Sequence, residues 1–288
     1  MVIVALDWTD VDADGHSTIA LSLVTAHGRA TPLVWMTVPK ARLKGRRNRY
    51  EDTVLLRLHE VLPPGVTVTI LADRGFGDQH LYALLTDLGF AFIIRFRGVV
   101  LVQSRDGEVR PAHAWVPPSG KPRQLKDACV TADRYPVGSV VCVKARGMKE
   151  AWCLAVGGGA VTGAMAVKRY ARRFTIEESF RDTKDSRYGL GVSATHVHDV
   201  RRRDRLLLIC AMAMTLLTVL GAAGESLGMD RMLNANTVKT RTHSLFRQGC
   251  HYYAAIPAMK QALLEPLVQR FGEYVLQQSV YVHAFGLK

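Results

Sequence analysis

A mixed α/β fold is predicted for this chain: a five-stranded sheet flanked by helices, carrying a β-rich insertion. Three observations predict it. Short β-rich runs open the sequence, runs with helical apolar spacing then separate further strand-like runs, and mid-chain the character shifts to β-rich pieces broken by Pro and Gly.

In order, residues 2–8, 18–26 and 32–38 are β-rich runs split by the Asp12-Ala13-Asp14-Gly15 turn and by His27-Gly28. They predict a three-stranded antiparallel meander. Residues 50–62 place apolar side chains at Val54, Leu55, Leu58 and Val61, a helical period, and residues 66–72 return as a strand. After Asp73-Arg74-Gly75, residues 78–88 are amphipathic and stop at Gly89, and residues 90–94 form another strand. The order β-β-β-α-β-α-β is that of a ribonuclease-H-like sheet, whose first and fourth strands are central neighbours. Residues 98–159 hold short β-rich pieces (99–104, 128–131, 139–144, 152–156) that end at Gly157-Gly158-Gly159. The expected organisation is a first core part over 1–97, an inserted β subdomain over 98–159, and a second core part with C-terminal helices over 160–288, including helices near 204–223 and 258–278.

Composition narrows the partner. Thirty-eight Lys+Arg against 25 Asp+Glu leave a formal charge of +13, which favours a polyanion through phosphate neutralisation. Nucleic acid leads, although charge alone also keeps proteins soluble. Five cysteines, none in a C-x2-C pair, argue for a reducing compartment and against structural zinc. The opening apolar residues meet Asp7 at once and have no basic lead, so no signal peptide is read. Residues 206–220 are the most apolar run, shorter than the roughly 20 residues a bilayer requires, and are expected to form a buried helix rather than a membrane span.

Acidic residues then fall at telling places. Asp7 is expected at the carboxyl end of the first strand and Asp73 at that of the fourth; neighbouring strands about 4.8 Å apart would face the two carboxylates. Unpaired they would repel, and a divalent cation removes that penalty. Further on, Tyr170, Arg173, Glu177, Arg181 and Lys184 follow Y-x2-R-x3-E-x6-K. On one helix they fall within an arc of about 80°, a face of three cations, a phenol and one carboxylate. Ile176 and Phe180 give that helix its apolar edge. Glu177 is thus the candidate third metal ligand. Oxygen donors favour Mg²⁺ or Mn²⁺ over zinc, and two such ions about 3.5–4 Å apart would serve phosphodiester cleavage. Singly, each piece has a plainer explanation: a strand-end cap, an Asx turn, a surface salt-bridge stripe.

Together, Leu6-Asp7-Trp8-Thr9, Ala72-Asp73-Arg74-Gly75-Phe76, Ile94-Arg95-Phe96-Arg97 and the Y-x2-R-x3-E-x6-K stretch resemble the insertion sequence 4 family of bacterial DDE transposases, over most of the chain. The resemblance implies Asp7, Asp73 and Glu177 as the metal-binding catalytic triad. It implies that Tyr170, Arg173 and Lys184, with Arg181 beside them, contact transposon-end phosphates. It implies cut-and-paste transposition, often through a DNA hairpin, by a homodimer acting in the bacterial nucleoid. Trp152 stands where a family tryptophan stacks on a flipped base, or else is a core tryptophan of a small sheet. Relatives usually carry a helical DNA-binding domain ahead of the first Asp; six residues precede Asp7, so either a shortened or split frame or end recognition supplied from elsewhere is expected.

Weaker signals remain. Lys40, Arg42, Lys44, Arg46, Arg47 and Arg49 form an acid-free cluster expected near the catalytic edge as a phosphate-tracking loop. Lys239, Arg241 and Arg247 are further candidates. His196 and His198 mimic a metal pair but have no third ligand nearby in sequence. A stand-alone metal-dependent nuclease and a truncated DNA-binding or inhibitory fragment remain alternatives to the transposase.

Overall fold

The computed structural model describes residues 1–187, 189–235, 237–238 and 240–277, with the Asp12 side chain left out. Two compact units result, Met1–Val24 with Pro32–Asp204, and Thr25–Thr31 with Arg205–Lys288.

The first unit is built on β1 (Val2–Val11), β2 (His16–Val24), β3 (Ala30–Pro39), α1 (Arg47–Val61), β4 (Val68–Ala72), α2 (Gln79–Asp87) and β5 (Ala91–Phe96). The sheet then continues through β6 (Leu101–Gln103), β7 (Val109–Pro111), β8 (Arg123–Val130), β9 (Tyr135–Val143) and β10 (Trp152–Gly157). Strand order is β3-β2-β1-β4-β5-β10-β9-β8-β6-β7. The five expected strands therefore make one half of a ten-stranded mixed sheet, not a sheet of their own. The reason is an open edge: β5 leaves one side unpaired, and β10 closes it antiparallel, Cys153 opposite Phe96. Here β1 pairs antiparallel with β2 and parallel with β4, and β4 pairs parallel with β5.

Alternation along these strands fills one layer. Val4, Leu6, Ile70, Ala72, Phe92 and Ile94 share a core with Val54, Leu55 and Leu58 of α1 and with Leu81 and Leu85 of α2. Asp78 starts α2 by accepting the Leu81 amide at 2.9 Å, an N-cap that fixes where the helix begins after the Asp73 turn.

On the chain's return, α3 (Gly163–Ala171) and α4 (Thr175–Lys184) are separated by a 3-10 turn at Arg172–Phe174. The single helix expected for the Tyr170 to Lys184 stretch is thus two. Tightening at the turn moves Arg173 inward, since a 3-10 turn advances each residue farther around the axis than an α-turn does.

The second unit contains most of α5 (Val200–Ser226), with α6 (Leu245–Ala255) and α7 (Gln261–Leu276). Its core gathers Leu220, Ala223, Met229, Tyr252 and Leu267. Two glycines let α5 and α6 approach closely: a Cβ on Gly249 would lie 1.8 Å from the Leu217 carbonyl oxygen, and one on Gly221 would lie 1.9 Å from that of Leu245. The expectation of a buried helix at 206–220 fails. In α5 the most apolar stretch is only 28% buried, with Leu208, Ile209 and Met212 exposed, and the helix is long and apolar enough by length and composition to cross a membrane. Sequence counting measured the apolar run but not the polar residues that extend its helix to 27 residues.

Candidate active site

Parallel register sets the two aspartates. Pairing of β1 with β4 ends at Leu6 opposite Ala72, so Asp7 and Asp73 each follow the last paired residue. Asp7 does not end its strand, because β1 runs on to Val11 against β2. Only its parallel pairing ends there, and the gap opened beside it admits side chains.

Asp73 begins the turn Arg74–Phe76 and accepts the Gly75 amide at 2.7 Å. It is an Asx turn as well as a carboxylate beside Asp7. Asp7 accepts its neighbour Trp8's backbone N–H at 2.9 Å and the Arg173 guanidinium at 3.0 Å. The same guanidinium donates to Glu177 in the first turn of α4 at 2.5 Å. Arg173 is 4% exposed, so the fork that joins strand to helix is shielded from water.

Electrostatically, Asp7 lies within reach of both other acids. Burial pushes the Asp7 carboxyl up to about 6; Arg173 opposes the rise, and Asp73 and Glu177 add to it. A cavity of about 500 Å³ is lined by Asp7, Trp8, Asp73, Arg47, Glu51 and Lys184 among others. A second, about 570 Å³, is lined by Asp7, Trp8, Glu177, Arg181 and Lys184 among others. Asp7 and Lys184 border both.

The fit to a divalent cation is chemical. Among the described residues no three acidic, imidazole or thiol groups are placed to hold an ion as they stand, and between Asp7 and Glu177 the cation is Arg173. The donor set is nonetheless suitable: Asp7, raised by burial first and by Asp73 and Glu177 in smaller measure, stands within electrostatic reach of both, and all three offer oxygen alone.

The expected DNA contacts separate into two groups. Tyr170 is 1% exposed and burial pushes its phenol up to about 12; Trp152 meets it edge-on with ring centroids 4.9 Å apart. Tyr170 and Arg173 are therefore corrected from phosphate contacts to interior residues: Tyr170, in the last turn of α3, is buried against Trp152, and Arg173, in the 3-10 turn, is buried with carboxylates to neutralise. Arg181 and Lys184 remain at the cavity, Arg181 paired with Glu178 and Lys184 reaching the Asp10 carbonyl at 3.4 Å. Trp152 opens β10 half-buried, against Tyr170 and Phe174. Arg46, Arg47 and Arg49 are exposed at the start of α1, with Arg47 over the Trp8 ring at 5.4 Å.

Elsewhere, Arg241 is taken up by Glu225, Arg247 is half-buried at the start of α6, and Lys239 lies outside the described residues. His196 and His198 stand 4.0 and 3.7 Å from the Asp14 carboxylate, which a long sequence gap concealed. That carboxylate is already bonded to buried Arg203.

Sequence reasoning missed Glu51. It is 5% exposed in α1, accepts the Trp8 indole N–H at 2.8 Å, and burial raises its carboxyl pKa against that bond. Its only signal was an acid one helical turn after Arg47, inside a run otherwise read for its cations.

Among solved structures the chain is similar to an Argonaute of A. aeolicus (9% identity, TM-score 0.28, 59% of this chain and 24% of that one). It is also similar to endonuclease V of Streptomyces avermitilis (14% identity, TM-score 0.30, 61% of this chain and 72% of that one). The chain thus spans about a quarter of the Argonaute's length. No curated protein matches it. Residues 1–216 match the family described as Transposase DDE domain, and with three quarters of its 288 residues so matched the chain belongs to that family.

Proposed function

We propose that this chain cuts and joins DNA strands at the ends of a mobile element, with Asp7, Asp73 and Glu177 as its catalytic carboxylates. The observation that carries the proposal is that Arg173 joins Asp7 to Glu177 while Asp73 lies beside Asp7, in a member of the transposase DDE domain family. They would hold Mg²⁺, with Mn²⁺ able to substitute. A bound divalent ion supplies Lewis acidity to the scissile phosphate and lowers the pKa of water or of a 3′-hydroxyl. In cleavage, water oxygen bonds to phosphorus, the bond to the 3′-oxygen breaks, and that oxygen takes a proton. In joining, the freed 3′-hydroxyl attacks a target phosphodiester and its oxygen replaces the leaving one.

The chain's own groups supply position. Arg173 holds Asp7 and Glu177 in register. Lys184, Arg181 and Arg47 lie along the cavities where a phosphate backbone would run, and Arg46 and Arg49 extend that basic edge. Two features support a ribonuclease-H-like core, the order β3-β2-β1-β4-β5 and the parallel β1–β4 pair with Asp7 and Asp73 just beyond its last rung. Residues 98–159 are then its inserted β subdomain, and residues 160–288 supply the second part of the core and the C-terminal helices. Half-buried Trp152, beside the catalytic helix, is the candidate for stacking on a base turned out of a hairpin end. Insertion sequence 4 membership, a homodimer on DNA, absence of a membrane and action in the bacterial nucleoid belong to the same proposal.

Purified chain incubated with double-stranded DNA carrying the element's own end, in Mg²⁺ or Mn²⁺, tests it. Nicks at the end and hairpin or joined products are expected. DNA left intact in both metals would overturn the reading.

A further inference from the structure

Trp8 and Asp7 are consecutive on β1 and therefore point to opposite faces of the sheet. Asp7 reaches Arg173 on one face, while Trp8 packs on the other beside the core it shares with α1. There Glu51 lies 5% exposed, a carboxylate withdrawn from water in the lining of the cavity that Asp7 and Asp73 also border. Packing does not explain it, because an apolar side chain would fill the place without the desolvation cost of a charge. What Glu51 does is directional: it accepts the Trp8 indole N–H at 2.8 Å. Trp8 in turn gives its backbone N–H to Asp7 at 2.9 Å and its ring face to the Arg47 guanidinium at 5.4 Å. One residue thus links a buried acid to a catalytic carboxylate and to a cation at the cavity mouth.

We propose that Glu51 is a positioning residue of this site, acting through the Trp8 indole to set the Asp7 carboxylate and to hold Arg47 over the cavity. The proposal rests on the reading of Asp7, Asp73 and Glu177 given above. Outer partners of metal ligands set ligand orientation, and their loss costs about 10–100-fold in metal affinity or activity.

The test uses the full chain without DNA, with two readouts: Mn²⁺ binding followed by electron paramagnetic resonance, and the Trp8 indole N–H resonance in ¹⁵N-labelled protein, assigned by its loss in Trp8→Phe. Glu51→Ala is expected to shift the indole resonance and to weaken Mn²⁺ binding by about 10–100-fold. Trp8→Phe should weaken it equally, and the double variant no further than the worse single one, as for two residues acting through one contact. Glu51→Gln keeps an oxygen acceptor and should recover most of the affinity and the parental indole position. If Glu51→Ala fails to fold, the contrast between Trp8→Phe and Glu51→Gln still decides. Loss in Glu51→Gln as deep as in Trp8→Phe would overturn the proposal, because charge rather than the hydrogen bond would then matter. So would parental binding by Trp8→Phe or Glu51→Ala while Asp7→Ala loses the ion. Parental binding by Asp7→Ala would instead overturn the reading of the carboxylate site itself, and the proposal with it.

Discussion

At the scale of single residues, the site is a problem in balancing charge. Burial and two acidic neighbours hold the Asp7 carboxyl at about 6 in the folded chain, above its ordinary 3.8. Between those values the folded chain keeps a proton that the unfolded chain has released. Stability from this group is therefore full below pH about 4 and is lost as pH rises through about 6, by up to about 3 kcal/mol. Denaturant melts of the metal-free chain across that window should show the decline, and Asp7→Asn should flatten it. Arg173 bears the opposite load. Removing it in Arg173→Ala leaves Asp7, 15% exposed, without its cation, which should cost roughly 3–5 kcal/mol by chemical denaturation, while half-exposed Glu177 loses the same partner to solvent at little cost. Arg173→Lys should recover only part, since an ammonium cannot copy a fork that bridges two carboxylates. Asp7 and Asp73 were legible in the sequence because an acid after an apolar strand run leaves a periodic signature. Glu51 was not: its partner Trp8 is forty-three residues away, and only the fold brings them together.

At the scale of elements, strands and helices of the first half were legible because their apolar periods differ. What escaped was anything set by contact with another element. The break between α3 and α4 carries no Pro or Gly, only Arg172-Arg173-Phe174, and arises where Arg173 turns toward the acids. Joining of β10 to β5 was invisible because edge pairing has no local sign. In the second unit α6 went unread, and its Gly249 serves close packing against α5. Gly249→Ala should therefore destabilise that unit strongly: a Cβ 1.8 Å from the Leu217 carbonyl forces the helices apart, and overpacking of this kind costs typically about 1–3 kcal/mol or more. Calorimetry should show a lowered transition; an unchanged one would mean that α5 and α6 do not meet as described.

At the scale of the whole molecule, charge and the carboxylate site make one account. On the proposed function a net charge of +13 would recruit DNA without regard to sequence, so affinity should fall steeply with salt. Neutralising exposed Arg46, Arg47 and Arg49 together should flatten the log-log slope by about 0.9 for each phosphate that the variant no longer neutralises. An unchanged slope in filter binding would turn this edge away from DNA. The central claim, that Asp7, Asp73 and Glu177 act as one catalytic set, is tested most directly by single-turnover nicking of an end-bearing duplex in Mn²⁺, with DNA affinity measured on the same samples. Asp7→Ala, Asp73→Ala and Glu177→Ala should each abolish nicking while binding DNA as the parent does, and double replacements should lose no more than single ones, as expected of groups that work as a unit. Nicking at the parental rate by any one of the three would contradict the account.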